Sequence, residues 1–374
     1  MTDLSAHPPT KARRTDEEGS RHDGDAGVRV SALDSLDCLG VLNPTGWFRS
    51  SGPSGSDRAG HRSASDRVFD LGIYVALAAL VLYFWQASPY FMTQRNLLNV
   101  GAAVAVTGVL AAGMTIALIA GQLDLTVGAN IALTSVIVSL AIENLGWSTP
   151  LAVLLGLAVG VAIGLANTAL IVGVGINSII ATLAMGIVNR AIALISTDGQ
   201  TKPLTNLALP NFLETRPLGV PTSVWILAGV FLACWIVMTF TRAGWHIYGV
   251  GGNPSAALRA GVRTKRLYAG VFITTGILAA IGGIITTGTS SSGGPDYANG
   301  AEFDVLTAVL LGGIGLSGGS GRVQRTLAGV LVIGVLNNGL TLLSVDSYYQ
   351  ELARGVAFVL AVVLGAVGER RRAR

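Results

Sequence analysis

Residues 121–128 read GQLDLTVG and place one carboxylate, Asp124, between two long apolar runs. An ionised aspartate in lipid costs roughly 2.5–3.5 kcal/mol even on lenient insertion scales, so its position needs a chemical reason. Two are open. Asp124 can cap the helix that follows, accepting from the amides of Thr126 or Val127 at a positively polarised helix end. Alternatively, the flanking glycines let the backbone leave helical geometry at membrane depth, where it must line water-filled space or be buried in protein. Gln122, Asp124 and Thr126 would then face a polar solute. Asn130 and Asn167 complete the candidate pathway set, although interhelical hydrogen bonding is the ordinary use of asparagine in such a setting.

Bond-making chemistry finds little support. His7, His22 and His61 lie near the N-terminus and His246 in a loop, while Cys38 and Cys234 are far apart in sequence, so no metal or disulfide spacing is present. Glu302 and Asp304 form the nearest carboxylate pair, but with Phe303 between them they point to different faces of a helix. No catalytic residue, metal ligand or cofactor site is therefore expected on this chain. The glycine-rich GLSGGSGRV at 315–323 lacks the lysine of a phosphate loop, so any ATP would be bound by another chain.

The elements that must carry these residues are membrane helices. The chain has 374 residues, 51% hydrophobic and 12% charged, against about 25% charged for a soluble protein. Residues 1–66 mix Gly, Ser, Asp and Arg without period and read as a disordered cytoplasmic tail, leaving 67–374 as the transmembrane domain. Ten apolar segments are long enough to span, some only barely: 69–91, 97–119, 125–143, 150–173, 176–196, 222–241, 267–289, 303–317, 326–343 and 350–367. Being apolar all round, they predict an all-α polytopic protein with helices broken at glycine-rich motifs. With the N-terminus inside, twenty Lys and Arg fall on the cytoplasmic side and three outside, so both termini are expected to be cytoplasmic. The basic residues flank spans, a topology signal in membrane lipid and not a nucleic-acid surface. Within the spans, Arg190 suggests either bonding to carbonyls or a role in transport, and Arg354 an ion pair with Glu351 three residues earlier. TIALIAGQLDLTVG (115–128) and TAVLLGGIGLSGG (307–319) look alike if one residue is skipped, a match that low complexity alone could produce.

One inner loop is built like a docking element. In NPSAALRAG, Asn253 suits an N-cap, Pro254 the first helical position and Gly261 the position just past the end. Two turns are marginal in water, so the helix should lean on something through Ala257 and Leu258, with Arg259 as a polar handle. A capped turn lying on the membrane surface is the plainer alternative.

The loop GWHIYGVGGNPSAALRAGVRTKRLY is similar to the cytoplasmic signature of the membrane subunits of ribose- and xylose-type ABC sugar importers. GQLDLTVG, GLANTALIVGVGINSIIATLAMGIVNRAIAL, FDVLTAVLLGGIGLSGGSG and GVLNNGLTLL match in the same order, covering residues 90–365. Gln122 stands where such permeases more often have glycine. The resemblance implies a permease in the cell (inner) membrane, importing a pentose or hexose. It implies Asn253–Gly261 as a coupling helix seated in a separate cytoplasmic ATPase, an extracytoplasmic sugar-binding protein as donor, and a homodimer. The residues alone leave one rival: an ion-gradient-driven transporter with Asp124 as coupling carboxylate.

Overall fold

The computed structural model describes residues 64–372, so all but the last three residues of the expected 1–66 tail lie outside the described residues. The described chain is almost entirely helical. In order it forms α1 (Ala64–Ala87), α2 (Gln94–Ile119), α3 (Val127–Glu143), α4 (Thr149–Thr168, continuing as a π-turn over Ala169–Val174) and α5 (Ser178–Thr197). Next come β1 (Lys202–Pro203), α6 (Ala208–Glu214), α7 (Thr222–Phe240), α8 (Arg242–Gly252), α9 (Pro254–Arg259) and α10 (Thr264–Thr289). The chain ends with β2 (Ser292–Gly293), α11 (Ala301–Leu311), α12 (Val323–Leu342) and α13 (Ser347–Arg372).

Each of the ten apolar segments contains a helix, but they are not ten equal spans. Among the described residues, seven helices are long and apolar enough to cross a membrane, while Gly72–Ala87 and Val127–Glu143 are shorter apolar helices. The expected span 303–317 is corrected: α11 has only 11 residues, about 16 Å of helix, because the chain turns at Gly312 and Gly313 and does not resume helix until Val323.

The bundle is organised around α2, buried without interruption from Gly108 to Ile119. In lipid, association rests on close packing and not on exclusion of water, and the sequence supplies the small residues for it. Gly156, Gly160 and Gly164 of α4 are buried, and a Cβ at Gly160 would run into the backbone of Gly276 on α10. Phe84, Phe91, Leu110, Met114 and Leu118 fill the interior elsewhere.

Two long connections flank α5 and α11, and a short antiparallel bridge joins them, pairing Lys202 with Gly293 and Pro203 with Ser292. Glu143, the last residue of α3, accepts from the amides of Thr205 (2.8 Å) and Asn206 (3.1 Å) and from the Thr205 hydroxyl. The loop 198–221 is thereby tied down at its start and is not a free connector.

Candidate functional site: a capped inner helix and a buried polar break

The capped helix is α9. Asn253 Oδ1 accepts from the Ala256 amide at 2.9 Å, and Pro254 occupies the first turn. At the other end Gly261 takes φ +85°, its amide bonds the Leu258 carbonyl, and the Val262 amide bonds the Ala257 carbonyl, each at 3.0 Å. That pair of bonds is a Schellman closure. Ala257 is the one buried residue of the helix; Arg259 is exposed and Leu258 is 61% exposed. An apolar side chain and a guanidinium thus stand on a rigid, doubly capped knob with no cover from this chain.

The knob connects directly to the core. A Cβ at Gly251, in the last turn of α8, would overlap the carbonyl oxygen of Ile119 at the end of α2 and would lie 2.6 Å from the Gly319 nitrogen. The Gly319 amide itself donates to Ile119 O at 2.8 Å, and Tyr248 Oη donates to Gly321 O at 2.9 Å. Gly318 rests on the backbone of Gly121. Three breaks, after α2, α8 and α11, therefore meet backbone to backbone. The two glycine-rich stretches that look alike in sequence are in contact.

Asp124 lies just beyond this junction. It is fully buried, and its Oδ1 accepts from the Thr126 amide (3.0 Å) and the Thr126 hydroxyl. Its Oδ2 accepts from the Thr275 hydroxyl of α10. Thr126 Oγ1 in turn accepts from Asn130 Nδ2 and Asn167 Nδ2, each at 3.2 Å, and Asn130 Oδ1 accepts from Asn189 Nδ2 at 2.7 Å. Thr275 lies eleven residues into α10, about 16 Å along it, so the cluster sits near the middle of α10. The non-helical stretch 120–126 is held on its other side by Ser178 of α5, whose hydroxyl accepts from the Leu123 amide at 3.3 Å.

Four of the five pathway candidates, Asp124, Thr126, Asn130 and Asn167, are brought together, each buried within this chain. Gln122 stands apart, half-buried against Tyr268. Sequence reading missed Thr275, Asn189 and Ser178, which complete the cluster. Nothing local singles them out: each stands beside another polar residue, Thr274, Arg190 or Asn177, in an otherwise apolar run, and only the helix crossings bring them together.

Two intramembrane arginines also find their places. Arg190 donates to the carbonyls of Pro295 (2.7 Å) and Tyr297 (3.4 Å), one of the two uses its sequence setting suggests. Arg354 is a correction: its partner is Asp304 of α11 at 3.4 Å, and the pair with Glu351 is not formed. Helical spacing makes Glu351 a neighbour along the same helix, but Asp304 lies across a helix contact and is half-buried with it. Among the described residues no cluster of His, Cys, Asp and Glu could hold a metal.

Residues 96–364 match a family model described as branched-chain amino acid transport system / permease component. The ribose import permease protein RbsC of Escherichia coli (strain K12) is 39% identical over 297 residues, 78% of this chain and 91% of the relative. RbsC of Bacillus subtilis (strain 168) is 38% identical, covering 79% and 92%, and the L-arabinose transport system permease protein AraH of Escherichia coli (strain K12) is 31% identical, covering 83% and 94%. No solved structure matches.

Proposed function

The chain belongs to this family of transport permeases, and from that premise we propose that it is the membrane-spanning subunit of an ATP-driven monosaccharide importer of the ribose type. It is a transport subunit and not an enzyme, and it lies in the membrane as a multi-pass protein. ATP is bound and hydrolysed on a separate cytoplasmic subunit. A sugar-binding protein on the opposite side delivers a pentose or hexose, and two copies of the chain frame the path. The chain crosses ten times with both termini on the cytoplasmic side, nine times as an apolar helix and once as the short α11 together with the turns on either side of it.

The observation that carries the coupling role is the uncovered knob. Leu258 and Arg259 project from a helix fixed at both ends, and α8 behind it abuts the breaks after α2 and α11. Closure of an ATPase around α9 would push α8 against two breaks at once, and these are the points where a helical bundle yields most readily. The Asp124 cluster is neither a plain helix cap nor a pathway lining but a brace. Asp124, Thr126, Asn130 and Asn167 hold the broken segment in place, and Gln122, only half-buried, is the polar side chain of this stretch nearest to open space.

Uptake of labelled ribose into proteoliposomes holding the permease, its ATPase and the binding protein tests the reading. Leu258→Asp and Arg259→Glu are each expected to abolish ATP-dependent uptake while the amount of inserted protein stays unchanged. Normal uptake by both variants would remove the coupling role. Accumulation by the permease alone on an ion gradient would replace the whole reading.

A further inference from the structure

A slot opens between α7 and α10, with Ile116 of α2 behind it, enclosing about 850 Å³. Its walls are apolar, formed among others by Val230, Ala233, Val237, Leu267, Val271 and Leu278. Along α10 it extends from Arg266 to Ile281, about 22 Å at helical rise. One leaflet of the hydrocarbon core is about 15 Å deep, so the slot is long enough for one acyl chain running from the interface toward the midplane.

Two glycines inside helices line it, Gly229 on α7 and Gly270 on α10, and a Cβ added at either would meet nothing within 4 Å. Where α4 crosses α10, by contrast, Gly160 and Gly276 bring backbones into contact. Gly229 and Gly270 serve no such contact in this chain; their effect is to keep the slot wide.

The inner end of the slot is basic. His246 of α8, Arg263 in the turn before α10 and Arg266 in the first turn of α10 all line it, and all are exposed. Among the described residues none of the three side chains has a hydrogen bond or ion pair. Trp245, beside His246, is 72% exposed, as suits an anchor at the membrane interface.

An apolar channel of acyl length that ends in unneutralised guanidinium groups complements an amphiphile with an anionic head. We propose that the slot binds an anionic glycerophospholipid, with one acyl chain between α7 and α10 and the phosphate against Arg263 and Arg266. Basic pockets between spanning helices on the cytoplasmic side are where anionic head groups bind. Gly261 and Val262, which close α9, also line the slot, so the bound lipid would touch the base of the knob. The site needs neither the ATPase nor the transported solute, and its test is independent of transport.

The full chain, reconstituted in nanodiscs of equal phosphatidylglycerol and phosphatidylcholine and released for native mass spectrometry, should retain phosphatidylglycerol preferentially. Arg263→Gln with Arg266→Gln should lower the retention constant by about 20- to 30-fold, as expected for two basic groups near the interface. Gly270→Leu fills the slot and should lower retention with both arginines present; Gly229→Leu, equally unobstructed, replaces it if that variant fails to insert. Lys265→Gln, an exposed neighbour outside the slot, should retain the lipid as the native chain does. Equal retention of the two lipids, or equal losses in Lys265→Gln and the arginine pair, would overturn the proposal in favour of general surface charge. Displacement by inorganic phosphate combined with no effect of either leucine variant would reduce the site to an anion contact. A leucine variant that changes only the dimer fraction would assign the slot to a second copy of the chain. Either result would sink the lipid site.

Discussion

Asp124 shows what one side chain does when a helix breaks inside a bundle. Its two oxygens receive the Thr126 amide, the Thr126 hydroxyl and the Thr275 hydroxyl, and among the described residues it makes no ion pair. Asparagine at this position keeps an acceptor for the Thr126 amide. It also offers a donor to Thr275 Oγ1, whose hydrogen can turn to the Phe272 carbonyl 3.0 Å away. Asp124→Asn is therefore expected to retain substantial uptake and a melting temperature close to that of the native chain. Asp124→Leu leaves the Thr126 amide without an acceptor in a buried site, at a cost of about 1–3 kcal/mol, and should melt lower when heated samples are followed by size-exclusion chromatography. Loss of uptake in Asp124→Asn at an unchanged melting temperature would instead make the carboxylate a participant in transport. The sequence shows that this aspartate needs partners and identifies the nearest, Thr126, two residues on. Thr275 lies 151 positions away, and its pairing depends on where α10 crosses the break. Arg354 teaches the same lesson: the partner suggested by spacing along its helix gives way to Asp304 on another.

At the scale of elements, what is local is legible and what is made by contact is not. The α9 helix could be read off Asn253, Pro254 and Gly261 because each residue acts within its own turn. The contact behind α9 could not, since GVGG at 249–252 shows only that the backbone is bare. The structure separates two of these glycines that look alike in sequence. A Cβ at Gly249 meets nothing within 4 Å, whereas one at Gly251 overlaps the Ile119 carbonyl. Gly249→Ala is accordingly expected to transport normally. Gly251→Ala should force α8 away from the end of α2 and reduce uptake at least tenfold, a change of about 1.4 kcal/mol in coupling, although every residue of α9 is intact. Binding of the ATPase to Gly251→Ala, measured by co-purification, should persist, because the knob proposed to receive it is unaltered. Equal behaviour of the two alanine variants would show that force does not pass through this contact. The short α11 has a similar origin: hydropathy runs on through GGIGLSGGSG, so a count of apolar residues overshoots, while the backbone turns at the first glycine pair.

For the molecule as a whole, the two ends of the bundle are constrained differently, and this bears on how it can move. At one end the connections after α5 and α10 are stitched by β1 and β2, clamped by Glu143 and pinned by Arg190 to the carbonyls of Pro295 and Tyr297. Hydrogen bonds with side-chain anchors fix these loops. At the other end the breaks after α2, α8 and α11 meet mostly through bare backbone, with one hydrogen bond from the Gly319 amide to Ile119 O and one from the Tyr248 hydroxyl to Gly321 O. Contacts of that kind hold segments close without interlocking side chains, so small displacements of α8 can pass to α2 and α11 without repacking a core. The assignment of the stitched end to the outside rests on the distribution of Lys and Arg, and it can be tested directly. In a background carrying Cys38→Ser and Cys234→Ser, Gln200→Cys should react with a membrane-impermeant maleimide in intact spheroplasts. Ser255→Cys, exposed on the knob, should react only in inverted vesicles. Labelling of both from one side would mean that the clamped loops and the knob share a compartment, and an inner motor could not then act on α9 while a carrier protein meets the stitched loops from the opposite face.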